Sequence, residues 1–190
     1  MRTLQNRPPQ QISMAVDVAA LSEIHRVGSD TVEHRITRSG CPTLWDRGIG
    51  MAGISAARNE FEFVRAHPHF TQILVTTAGR GQALVDGEWG TLTKGWAYVT
   101  PPRQLHAYHT DGKLGEWEVA WVIIPRASHA PPARAPDRPR LVETDSDLFR
   151  AAVFGLFSEY MGKADPAMME SWADLVRALT SRVAGAAPRD

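Results

Sequence analysis

Hydrophobic residues in this chain change their period near residue 125, and few folds accommodate such a change. Before it, apolar and β-branched residues come in short alternating runs. Residues 31–37 (TVEHRIT) alternate at period two, and residues 71–77 (TQILVTT) are apolar and β-branched between Pro68 and Gly79. Residues 82–85 follow the Gly79-Arg80-Gly81 break, and Asp86-Gly87 then has the chemistry of a type I′ hairpin turn. Residues 88–93 return to Gly95, residues 96–99 lead into Pro101-Pro102, and residues 116–124 form a long aromatic run. Many short strands punctuated by turns predict a mainly β sandwich or barrel of the jelly-roll kind over residues 19–124.

Five of the 13 prolines then fall between Pro125 and Pro139, so residues 125–144 read as an extended Pro/Arg-rich connector without a packed element. Beyond it the period becomes helical. Asp145 or Ser146 can cap a first helix with apolar positions Leu148, Ala152, Leu156 and Tyr160, closed by Gly162. Asp165-Pro166 starts a second, with Asp as cap and Pro at its first position. Its apolar positions Met168, Trp172, Leu175, Leu179 and Val183 lie close to a heptad seam, which predicts a homodimer contact within residues 145–185. Residues 1–18, with Pro8-Pro9, read as an N-terminal arm.

Charge narrows the function classes. The chain balances 21 Lys and Arg against 21 Asp and Glu, so it lacks the basic excess of a free-standing nucleic-acid binder. Its single cysteine, Cys41, excludes an internal disulfide and a Cys-rich metal site. The polar start has no apolar signal region, and no run is long and apolar enough to span a bilayer. A cytoplasmic protein without a membrane partner is expected. Nucleophile elbows and phosphate-cradling glycine loops are absent from the sequence, so no enzyme activity of those kinds is expected.

Three histidines stand out. His67 and His69 flank Pro68 just before the 71–77 run, and His106 follows Pro101-Pro102. Imidazoles two apart on a strand share a face, and a barrel could bring the third beside them as metal ligands. The bland alternative makes them polar residues at a barrel mouth. Trp117, Val119 and Trp121 share one face of the last long strand, either as core or as the floor under a flat ligand. Arg65, Tyr98 and Tyr108 are the polar-tipped neighbours that would orient a small polar molecule.

Gly79-x-Gly81, Gly95, Pro101-Pro102, His106-Ala107-Tyr108, Glu116-Trp117 and Trp121 occur in this order. Together with the two helices after them, over residues 55–185, they resemble the sensor domain of AraC-type transcriptional regulators. The resemblance implies a cupin-like barrel that binds a small-molecule effector, followed by helices of which the second pairs subunits. In the arabinose-responsive member the sugar stacks on a Trp of the last long strand, which looks like Trp121 here. The pocket Tyr looks like Tyr108 and the pocket Arg like Arg65. A pocket His two residues before that Trp is Val119 here, which removes a hydrogen-bond partner and argues for a ligand other than arabinose. His67, His69, Gln72 (in place of a Glu) and His106 fall where cupin enzymes hold a metal, and Arg103 stands where those enzymes usually have Gly. Sensors of this family keep the barrel without the metal, so no cofactor is expected. DNA contact would come through a helix-turn-helix domain that is not on this chain. A metal-dependent cupin enzyme, an isomerase or dioxygenase, is the alternative.

Overall fold

The computed structural model describes residues 16–112, 115–127 and 137–188. Most of the expected arm and the middle of the expected connector lie outside these residues. Among the described residues, ten strands and three α-helices follow a short 3-10 turn (Val18–Ala20): β1 (Ile24–Arg26), β2 (Val32–Thr37), α1 (Pro42–Asp46), β3 (Met51–Ala57), β4 (Glu62–Arg65), β5 (Phe70–Val85), β6 (Glu88–Thr93), β7 (Trp96–Thr100), β8 (His106–Thr110), β9 (Trp117–Pro125), β10 (Arg140–Glu143), α2 (Ser146–Met161) and α3 (Pro166–Gly185). Every strand pairing is antiparallel. The main path runs β1-β4-β8-β5-β9-β3-β2, curled into an open half-barrel with β1 and β2 as its two ends. The expected mainly β, cupin-like architecture with two C-terminal helices is the one observed.

The curl depends on β5. Residues 71–77 and 82–85 are not two strands but parts of one 16-residue strand. Its first half pairs with β7 and β9, and its second half with β6 and β8. The strand crosses between walls at a register shift between Thr76 and Ala78, followed by Gly79 at φ +66°. A bulge and a left-handed glycine bend a strand without ending its pairing. A Cβ at Gly81 would run into the Trp117 indole, so the bend also requires a residue without one there. The Asp86-Gly87 hairpin forms as expected, with both residues at positive φ.

The connector needs correction. β9 runs to Pro125, and residues 140–143 add strand β10 to the edge of β7. Val142 is buried there, and Arg140 Nη2 donates to the Ala184 carbonyl at the end of α3 (2.6 Å). The short helix α1, with Pro42 at its first turn and Leu44 buried, was not foreseen either.

The sheet has an apolar surface on both sides. On one, Ile36, Ala52, Ile54, Ile73, Val75, Ala120 and Val122 pack against Phe149, Ala152, Val153 and Leu156 of α2 and Met169, Ala173, Val176 and Leu179 of α3. Asp145 and Asp165 cap the helices by accepting from Leu148 N and Met168 N. The Arg150 guanidinium forms a two-point bond with Glu118 of β9 (2.7 and 3.2 Å), tying α2 to the sheet. On the other, concave side, Phe61, Leu74, Ala83, Leu92, Trp96, Tyr98, Tyr108, Trp117, Val119 and Trp121 form the barrel interior.

The α3 seam is shifted from expectation. Leu179 and Val183 are buried in the chain's own core, and the docked face continues through Met169, Ala173 and Val176. Trp172 and Leu175 are half-buried on the flank, and Met168 is exposed. Trp172 lies over Gly155 of α2, where a Cβ would come within 2.7 Å of its ring. Much of the predicted seam is therefore spent on intrachain packing.

Candidate effector site in the half-barrel

Strand alternation decides which side chains face the cavity. On β4 and β8, Phe63, Arg65, His106 and Tyr108 point inward, while Val64 and Ala107 form a small outer cluster with Leu84. Arg65 and His106 are register partners, and so are Phe63 and Tyr108. On β5, Gln72 and Leu74 are successive interior positions, and Leu74 is the register partner of Trp121 on β9. Gln72 therefore lies one interior row from the indole on the β5–β9 wall, and Arg65, His106 and Tyr108 meet Gln72 from the β4–β8 wall.

Arg65 organises the polar cluster. Its Nη1 donates to Tyr108 Oη (3.0 Å) and Gln72 Oε1 (3.2 Å) and faces His106 Nε2 (3.5 Å). Gln72 Nε2 donates to the same Tyr108 oxygen (3.0 Å). The guanidinium carbon lies 4.3 Å from the Phe63 ring centroid and 5.6 Å from that of Phe70, so aromatic faces hold it in place.

His106 is fully buried, and its pKa is pulled down to about 3, first by desolvation and then by the Arg65 cation. The ring is neutral, and its tautomer follows from its partners. Thr100 Oγ1 donates to the Gln72 carbonyl and so accepts from the ring, which leaves Nε2 as the unprotonated nitrogen facing Arg65. Nδ1 then carries the proton and donates to Thr100 Oγ1 (2.7 Å), which donates on to the Gln72 carbonyl (3.5 Å). This chain locks the floor beneath Arg65.

Trp121 has a second network. Its Nε1 donates to Ser55 Oγ (2.9 Å), which donates to Glu33 Oε1 (2.7 Å) on edge strand β2. Gly53, its register partner on β3, lets the ring lie against the strand, since a Cβ there would meet Trp121 Cζ2 at 2.6 Å. The indole is 7% exposed, against 1% for Trp117, whose Nε1 donates to buried Thr76 Oγ1.

This order of elements and this interior match a known family over most of the chain. The model of the AraC-like ligand binding domain matches residues 48–178. The chain belongs to that family. The AraC-like transcriptional activator CuxR shares its fold, at 11% identity and a TM-score of 0.52 over 77% of this chain and 55% of that one. Protein Ylba from E. coli gives 10% identity and a TM-score of 0.46 over 66% of this chain and 49% of that one. A predicted oxalate decarboxylase from Thermotoga maritima gives 13% and 0.42 over 59% of this chain and 99% of that one. The chain spans about half the length of CuxR and Ylba. No curated protein sequence matches.

Within this AraC-like domain the predicted site residues separate into two groups. Arg65, Gln72, His106, Tyr108, Val119 and Trp121 face the interior together. His67 and His69 do not join them. Residues 66–69 form a bend, Pro68 is buried, and both imidazoles are exposed. The buried proline turns its neighbours outward, which undoes the shared-face argument. Among the described residues no three His, Cys, Asp or Glu side chains come together as metal ligands, and the Arg65 cation occupies the side of His106 that a metal would need. The metal set His67, His69, Gln72 and His106 is thus not assembled.

Arg103 adopts φ +66°, the left-handed conformation that glycine favours, where cupin enzymes usually have Gly. Its N–H donates to the Pro68 carbonyl (2.7 Å), closing the loop beside the site. Phe63, Phe70, Thr100, Ser55 and Glu33 were missed as site residues. The alternation of residues 31–37 would have placed Glu33 with Arg35 on one face, but not which face turned inward. A separate cleft of about 300 Å3 lies between Asn59, Phe61, Glu62 and His109 at the opposite ends of β4 and β8, away from Arg65.

Proposed function

We propose that this domain senses a small polar metabolite of sugar size for a transcription regulator. The ligand enters the half-barrel, stacks on Trp121 and is oriented by Arg65 and Tyr108. The observation that carries this reading is a locked polar cluster whose Gln72 lies one interior row from a slightly open indole. Few, fixed polar groups beside aromatic area are how small polar molecules are held. His67 and His69 take no part in it, and Val119 supplies only apolar wall.

Regulation then follows from linkage: a ligand favouring one arrangement of subunits shifts the population by its differential affinity. Subunits would pair through the free flank of α3, with Met168, Trp172 and Leu175. DNA would be met through a helix-turn-helix unit, of which these residues carry no pattern.

A thermal-shift screen of pentoses, hexoses and their acids tests the reading. At a hundredfold excess over Kd a true effector should raise the Tm by roughly 5–10 °C. Trp121→Ala should abolish the shift while keeping the fold; an undiminished shift in that variant overturns the stacking role.

A further inference from the structure

The proton directions around Arg65 specify more than a polar ligand. Tyr108 Oη accepts two hydrogen bonds, from Arg65 Nη1 and Gln72 Nε2. A phenol oxygen accepts about two, so its own hydrogen remains for donation. Tyr108 is buried, and among the described residues that hydrogen has no recorded acceptor. Gln72 spends its carbonyl on Arg65 and its amide on Tyr108. His106 spends Nε2 toward Arg65 and Nδ1–H on Thr100.

What the cluster can still offer is therefore donors only: the Tyr108 O–H and the Nε–H and Nη2 hydrogens of Arg65. The hydrogen-bond partners of the guanidinium are neutral side chains, while its charge also helps to hold the Glu23 carboxyl below its usual range. The nearby Glu23 carboxylate is taken up by the Ala66 N–H (2.9 Å) and His25 Nε2 (3.0 Å). His25, the register partner of Phe63, adds a further potential donor at the β1 rim. A cation in a partly desolvated wall with a hydroxyl donor held beside it calls for an anionic acceptor.

We propose that the effector carries a carboxylate, seated on a free Nη2 hydrogen of Arg65 and on the Tyr108 hydroxyl beside it, with His106 and Gln72 as positioning residues. This rests on the effector-binding reading above and narrows its ligand class to an organic acid. A carboxylate oxygen accepts two hydrogen bonds, so one oxygen can bridge an Nη2 hydrogen of Arg65 and the Tyr108 hydroxyl held at Nη1.

The test uses matched pairs, galacturonate with galactose and gluconate with sorbitol, and inorganic phosphate at equal ionic strength. The readouts are the Arg65 side-chain Nε–H resonance, with exposed Arg58 as internal control, and Trp emission. The acids should move Arg65 well beyond Arg58, and their neutral partners should not. Arg65→Gln should weaken acid binding roughly tenfold to a hundredfold, and Tyr108→Phe should weaken it severalfold with the ring still packed. A neutral sugar that changes Trp emission and stabilises the protein as well as its acid overturns the carboxylate and leaves the effector reading intact. Phosphate moving Arg65 at lower concentration than either acid overturns the carboxylate as well. Acids that move Arg65 no more than Arg58 overturn it too. Acids that move Arg65 with no change in Trp emission or thermal stability support the anion seat and count against the barrel-sensor reading.

Discussion

Single residues carry the chemistry of this domain, and His106 shows how. Its folded pKa of about 3 lies below the ordinary imidazole value of 6.5. Between those values the unfolded chain binds a proton that the folded chain refuses, so stability is full above pH 6.5 and falls as the pH drops toward 3. The expected slope is roughly 1.4 kcal/mol per pH unit, or about 2 kcal/mol between pH 6.5 and 5. Urea unfolding at those two pH values should show this loss in the natural chain. It should be about 2 kcal/mol smaller in His106→Asn; equal losses in both would contradict the buried neutral ring. Both ring nitrogens of His106 are taken up, by Arg65 and Thr100, so its role is to hold Arg65.

Elements owe their positions to contacts that no single stretch encodes. Helix α2 is held to the sheet by its Phe149, Ala152, Val153 and Leu156 face and by the Arg150–Glu118 pair. The Arg150 guanidinium and the Thr77 hydroxyl hold the Glu118 carboxyl below its usual range. Helix α3 approaches α2 closely because Gly155 leaves room for the Trp172 ring. Gly155→Val should push the helices apart and destabilise the domain by about 1–3 kcal/mol, despite the better helix propensity of Val. Thermal unfolding measures this, and an unchanged or higher Tm would mean that Trp172 swings away at no cost. At the same scale β5 is one strand because its glycines bend it while its pairing continues.

For the whole molecule, the question is which apolar surface remains for a second copy. Leu179 and Val183 lie in the intrachain core, whereas Met168 is exposed. The proposed pairing through the α3 flank therefore predicts two different outcomes. Met168→Glu should keep the fold and shift sedimentation toward monomer. Leu179→Glu should unfold the domain, because it buries an unpaired charge in the core between sheet and helix. A folded Met168→Glu protein with an unchanged sedimentation coefficient would remove this flank as the contact.

The sequence by itself determined the local facts of this protein. Alternating or β-branched runs gave β2, the two parts of β5, β6, β7 and β9, Asp145, Asp165 and Pro166 the helix starts, Asp86-Gly87 the hairpin, and the Trp117, Val119, Trp121 alternation one face of β9, whereas β1, β3, β4 and β8 went unread. Each depends on residues within a few positions of one another, and backbone geometry makes such patterns readable. Tertiary structure alone decided which faces met. It joined two apparent strands into β5, added β10 from a stretch that read as connector, and turned His67 and His69 outward around a buried Pro68. It also shifted the docked face of α3 to Met169, Ala173 and Val176, where a step of one residue rotates a helix by about 100°. Arg65, Gln72, His106 and Tyr108 come from three strands, and their proton directions exist only once those strands are in register.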